Sequence, residues 1–259
     1  MIKIFNFQNL KLKLIILLFF ILFLIFISFQ GIYSNYYKYL DIEQMKKLKY
    51  IEAVYDISGK DKNSTETIRY FFSDTLYIEE RCEGNYGHGY YKISFDTYYR
   101  PLIMETLWIS EVENADSFER FIYNYENATI LYTNLKTSKS KTFSISEVTG
   151  DSVTLGELIV FINTEVLKNL SAGGLIVPNA YQAPFIFRYL KSDTYKLNNE
   201  IIKEEIYKAE INNPFLQFLA SMFGNKAEIH LRSEFPHIRT RAFYSIRTVL
   251  LKDFKIITK

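Results

Sequence analysis

Residues 49–57 read KYIEAVYDI, and every second side chain, Ile51, Ala53, Tyr55 and Ile57, suits an interior. Successive side chains of a strand point to opposite faces, so a period of two buries one face and wets the other. The same period recurs downstream. Glu66–Phe72 and Thr75–Cys82 are expected as strands joined through Ser73-Asp74, after a polar turn at Gly59–Ser64. Tyr90–Phe95, Pro101–Glu111, Ser117–Tyr125, Thr129–Asn134 and Ser140–Glu147 follow at roughly ten-residue spacing, the pattern of an antiparallel sheet. In Pro101–Glu111 Leu102, Met104 and Trp108 fall on one face and Ile103, Leu107 and Ile109 on the other, which predicts cover on both sides.

Two stretches interrupt this pattern. In Thr154–Leu170 the residues Leu155, Leu158, Ile159, Ile162, Val166 and Leu170 recur at helical intervals before Gly173-Gly174, predicting a helix. Asn213-Pro214 opens a second, in which Phe215, Leu216, Phe218, Leu219, Met222 and Phe223 are apolar nearly all round, so it belongs inside the sheet's concave face. Between them Leu175–Ala183 reads as an irregular crossing, and Phe185–Leu190 and Ile201–Ile211 as strands. Lys226–Glu234, Ile238–Tyr244 and Thr248–Phe254 close the chain as strands.

Before the sheet lies Leu14–Phe29, LIILLFFILFLIFISF, sixteen residues with Ser28 the only polar one. Lys3, Lys11 and Lys13 precede it and no acid occurs before Asp41. At 1.5 Å per residue the run gives roughly 24 Å of helix, and extending it to Leu14–Tyr33 gives roughly 30 Å, enough to span a bilayer. Two readings stand. A signal anchor keeps the helix with its lysine-bearing end in the cytoplasm. A signal peptide is cleaved, though Ile32-Tyr33-Ser34 makes a poor site. Both place the following domain outside the cytoplasm, membrane-anchored or secreted. The expected organisation is a basic region 1–13, the apolar segment 14–33, a linker 34–48 with a short helix capped by Asp41, and a β-rich domain 49–259.

Lys and Arg number 31 and Asp and Glu 29; without the three N-terminal lysines the remainder is 28 to 29. A near-neutral domain lacks the basic face that nucleic acid requires. A single cysteine, Cys82, excludes an internal disulfide and reads as a half-buried strand residue. His88, His230 and His237 lack ligand spacing, so no metal or cofactor is expected. There is no Gly-x-Ser-x-Gly, phosphate loop or His-Glu-x-x-His. Glu79-Glu80 and Glu204-Glu205 alternate across strands and cannot form a dyad on one face. The loop EGNYGHG, Glu83–Gly89, reads as glycines serving turn geometry, the alternative being that it brings His88 beside a ligand. Nothing in the chain points to an enzyme. Residues 226–259 carry eight basic side chains against three acidic. Arg239 and Arg241 are expected on one strand face with Arg232 on the strand before, where an anion such as a lipid headgroup would sit. The alternative is a solvated sheet face near the membrane.

Ile93–Leu102, the apolar helix Pro214–Phe223 ending in Phe-Gly, and Ala227–His237 leading into the basic strand Ile238–Phe243 carry a resemblance. The order of elements over 49–254 resembles an uncharacterised family of bacterial envelope proteins whose domain is similar to the half-barrel of lipoprotein carriers of the LolA type. That resemblance implies a strongly curved antiparallel sheet plugged by helices, and no catalytic residues. The expected fold is therefore mainly β, a half-barrel with one or two helices on its concave face. Its hollow would bind an apolar, lipid-like ligand through Met104, Trp108, Phe218 and Met222. The alternative is a structural module docking an envelope partner.

Overall fold

A computed structural model of the chain describes residues 36–110, 116–145, 152–168, 170–176, 181–211, 227–244 and 247–259. The expectations for Leu14–Tyr33, the helix 214–223, Phe218 and Met222 lie outside them. Among the described residues no helix is long and apolar enough to cross a membrane.

The period-two stretches form strands β1 (Leu48–Gly59), β2 (Lys62–Phe72), β3 (Leu76–Gly84), β4 (Gly87–Phe95), β5 (Pro101–Ser110), β6 (Ser117–Asn124), β7 (Thr129–Asn134) and β8 (Lys139–Ser144). After a helical connection come β9 (Ser171–Ile176), β10 (Tyr181–Leu197), β11 (Glu200–Ile211), β12 (Ala227–Arg232), β13 (Arg239–Tyr244) and β14 (Thr248–Thr258). Each pairs antiparallel with its sequence neighbour except β8 with β9, and β14 pairs with β1, joining two meanders into one sheet. β8 and β9 form its edges, so the sheet curls without closing. In β1 the alternation works as read: Ile51, Ala53, Tyr55 and Ile57 are all buried. Two-residue turns at Lys60-Asp61 and Asn198-Asn199, with φ of 48° and 61° and of 48° and 73°, match the right-handed twist of the strands they join.

Three expectations change. Thr154–Leu170 is not one helix but α2 (Ser152–Leu158), a 3₁₀ turn (Ile159–Phe161), an extended Ile162 and α3 (Thr164–Leu167), capped by the Asn163 side chain accepting from Glu165 N–H at 2.9 Å. A continuous helix would have turned Val160 and Phe161 away from the apolar stripe. The break buries all of Leu158 through Ile162, and a β-branched run loses little helical stability by it. Next, β9 and the start of β10 take up the Gly173-Gly174 stop and much of the expected irregular crossing Leu175–Ala183, and β10 continues past Leu190 to Leu197. Its far half reaches over to β14, where the Tyr195 hydroxyl donates to the Leu251 carbonyl at 3.0 Å. Finally, β5 is not covered on both faces. A register shift at Ser94/Phe95 leaves Leu102 beside Ile103 on the outer side, 38% and 43% exposed.

The expected cap at Asp41 accepts from Gln44 N–H at 3.1 Å and starts α1 (Ile42–Met45). Tyr37, Leu40 and Met45 belong to the same buried core as the sheet. Leu40 bridges Ile162, and Asp41 N–H donates to the Phe161 carbonyl at 2.9 Å, so 37–45 and the broken helix form one plug inside the curl.

Candidate functional site

The inner face of the sheet is not uniformly apolar. One inner row crosses it as Tyr55, Glu66, Cys82, Gly89, Trp108, Ser117, and the next as Ala53, Ile68, Glu80, Tyr91, Thr106, Glu119. Glu66 and Glu80 are therefore diagonal neighbours, and both are buried. Arg239 from β13 and Glu157 from α2 meet them from the opposite side. The Arg239 guanidinium pairs with the Glu66 carboxylate and lies 4.5 Å from the Tyr55 ring centroid. The Tyr70 hydroxyl donates to Glu157 at 2.7 Å.

Charge in this cluster is arranged to cancel. Burial, together with Glu66 and Glu157 nearby, pushes the Glu80 carboxyl well above the usual carboxylate range. Burial likewise raises Glu157, against the pull of Arg239 and Tyr70. Arg239 keeps its proton because Glu66 and its neighbours outweigh desolvation. A neutral Glu80 beside an Arg239–Glu66 ion pair is the cheapest way to hold these groups out of water. Burial also pushes the Cys82 thiol up to about 12, which makes it inert. Because the Glu80 proton is bound more tightly in the folded chain, folded stability is highest below the unfolded carboxyl pKa and falls as pH rises toward the folded one. Glu80→Gln, which cannot ionise, should gain on the natural chain by up to about 1.4 kcal/mol per pH unit above about pH 4.5. Thermal melts at several pH values measure that gap, and a constant gap would contradict the neutral carboxyl.

A second buried cluster surrounds Glu204. Its carboxylate takes His230 Nδ1 at 2.9 Å, the Thr240 hydroxyl at 2.5 Å and the Arg241 guanidinium, while His230 Nε2 lies 2.7 Å from Glu228. Burial alone would raise the Glu204 pKa, but these partners outweigh it and bring it down to about 2. The sign is opposite to Glu80: this stability is complete above the unfolded pKa and is lost as pH falls through about 2. Glu204→Gln should cost about 1.5–3 kcal/mol at neutral pH, the worth of hydrogen bonds to a charged group, and the loss should vanish in acid. Urea melts at pH 7 and near pH 2 test this.

Both ring nitrogens of His230 are engaged, so neither faces a substrate. His237 is buried with Nδ1 3.0 Å from the Arg232 carbonyl, and desolvation lowers its pKa. Among the described residues no group of His, Cys, Asp and Glu could hold a metal ion.

The three arginines do not converge. A register shift puts His230 opposite Arg241 but Leu231 opposite Arg239. His230 and Leu231 face opposite ways, and so do their partners. Arg239 enters the hollow, Arg241 joins Glu204, and Arg232 pairs with the exposed Glu234. Met104 and Trp108 are on the inner face and buried. Trp108 packs on its own sheet: a Cβ on Gly87 would lie 2.5 Å from its ring, and one on Gly89 2.0 Å from the Leu107 carbonyl oxygen. The glycines of EGNYGHG thus admit the indole and a close backbone approach.

Alternation correctly kept Glu79, paired with Arg81 at 3.1 Å, apart from the buried Glu80. What it missed is that acids at inward positions of neighbouring strands meet across the sheet. The signal was Glu66 and Glu80 occupying positions in step with Ile68 and Ile78. Under α2 the cavity bounded by Tyr55, Tyr70, Glu157, Val160 and Arg239 holds about 40 Å³.

No protein-family model and no curated protein matches this chain. Among solved structures it is similar to the crystal structure of a beta-barrel-like protein of domain of unknown function DUF1849 from Brucella abortus. The TM-score is 0.53 at 10% identity, over 82% of this chain and 99% of that one. The likeness is one of fold alone. It supports a β-barrel-like architecture, while kinship with LolA-type carriers is not shown.

Proposed function

We propose that the chain is a non-catalytic, membrane-tethered envelope protein whose curled sheet docks through its outer surface rather than storing an apolar ligand. One observation carries this reading: among the described residues, the chain itself fills the hollow beneath α2. Tyr37, Leu40, Met45 and every residue from Leu158 to Ile162 are buried there. The 40 Å³ left beneath α2 falls far below the roughly 300–1,000 Å³ of small-molecule sites. The Arg239 guanidinium balances the Glu66 carboxylate inside the sheet, although its buried Nε has no hydrogen-bond partner, and such a charged interior suits a fixed plug better than a greasy container.

Trp108, the single tryptophan, stands in the inner wall and reports on occupancy. The full chain reconstituted in vesicles with brominated acyl chains should keep its tryptophan emission, since bromine quenches by contact. A saturable loss of emission as brominated lipid is added would restore the lipid-binding reading and overturn this one.

A further inference from the structure

The outer face is divided sharply by polarity. From β1 to β7 one outer row runs Tyr50, Phe71, Tyr77, Ser94, Ile103, Ile122, Leu131, each residue opposite the next in register. Phe71, Ile103, Ile122 and Leu131 are each about two-fifths exposed, and Leu102 at the β5 bulge fills the gap beside Ser94. Seven strands at about 4.8 Å spacing make this row about 28 Å long. Tyr98, in the turn just beyond it, is 72% exposed. Scattered exposed apolar side chains are ordinary, but a continuous row marks a surface that meets something.

Two residues further along β1 to β6 the chemistry reverses. The next outer row reads Glu52, Arg69, Glu79, Lys92, Glu105, Arg120, alternating in sign from strand to strand, with Lys255 beyond Glu52. Arg69 pairs with Glu52 at 2.7 Å and Arg120 with Glu105 at 2.6 Å. An apolar band bounded by a self-neutralised charged ladder has the profile of a surface lying at a water–hydrocarbon boundary.

The end of the sheet that carries the band is also where the chain enters. Phe161, which receives the Asp41 N–H, packs edge-on against Tyr70 and Phe72, the neighbours of Phe71 in β2. The apolar run Leu14–Phe29 ends seven residues before Tyr36, a reach of at most about 25 Å.

We infer that the outer row Phe71–Ile103–Ile122–Leu131 rests on the bilayer that holds Leu14–Phe29, with the charged ladder at its aqueous edge. This rests on reading Leu14–Phe29 as membrane-embedded. The domain would then lie along the membrane surface on its convex side.

The test uses the full chain in phosphatidylethanolamine–phosphatidylglycerol vesicles, with Ile103→Cys, Ile122→Cys, Leu131→Cys or, as control, Glu83→Cys carrying an environment-sensitive fluorophore. Cys82 is buried and stays unlabelled. Glu83 is exposed about 20 Å along β3 from Tyr77. Labels at 103, 122 and 131 should lose most of their emission to a lipid nitroxide near the headgroup, and the control should lose its emission only to aqueous iodide. If the chain floats with vesicles after carbonate washing but all four labels respond only to iodide, the docking inference falls while the membrane segment stands. If labels at 103, 122 and 131 are shielded from both quenchers, a protein or a second copy covers the row and the inference again falls. If the chain does not float, the membrane reading fails and takes the inference with it.

Discussion

Arg239→Met should destabilise the chain by about 3–5 kcal/mol at neutral pH, because it strands Glu66 and Glu157 in the interior without their counter-charge. For a domain of this size that is a fall in Tm of roughly 6–20 °C. The side chain is a near match in length, so the loss reports charge rather than a void. Burial already raises Glu157, and without the guanidinium, which pulls the other way, its carboxyl would take up a proton more readily. The deficit should therefore shrink as pH is lowered toward about 4.5, where protonation replaces the missing charge. Calorimetry of variant and natural chain at neutral and mildly acidic pH measures it. An unchanged melting point at neutral pH would mean that Glu66 is balanced elsewhere and that the interior cluster does not hold the plug.

Phe161→Ala should cost about 3–5 kcal/mol, the range for deleting a fully buried aromatic ring. Phe161 is 0% exposed and meets the rings of Tyr70 and Phe72 edge-on at 5.3 and 5.6 Å, with Phe235 at 6.2 Å. Such geometry adds about 0.5–1.5 kcal/mol per pair to simple burial. Phe71→Ala, on the outer face of the adjoining strand position, should be close to neutral for folding. Equilibrium urea unfolding compares the two. If Phe161→Ala costs under about 1 kcal/mol, the site has relaxed around the missing ring. The plug would then be dispensable and the hollow available to a ligand, contrary to the docking reading.

The strands of the first meander were legible along the chain, since Ile51, Ala53, Tyr55 and Ile57 announce their own burial, whereas β9 and the two ends of β10 were not. The capped turn at Asp41 was legible for the same local reason, a side chain reaching a backbone N–H three residues away. The break within Thr154–Leu170 was not, because helical spacing says nothing of Val160 and Phe161 finding partners on β2 and in the β12–β13 loop. The candidate site was half legible. Met104 and Trp108, read as candidate lining residues, are buried on the inner face, but Glu80 was weighed only against Glu79 and its neighbours Glu66 and Glu157 were not considered.

By itself, then, the sequence determined a mainly β chain, the inward set of side chains in most strands and the short-range turns, all of which follow from interactions a few residues apart. Tertiary structure alone decided that β14 closes on β1, that Glu66, Glu80, Glu157 and Arg239 share one interior, and that Arg239 and Arg241 part company. These depend on partners as far apart as Leu48 and Thr258 and on single-residue register shifts, and a shift of one residue turns a side chain from one face to the other.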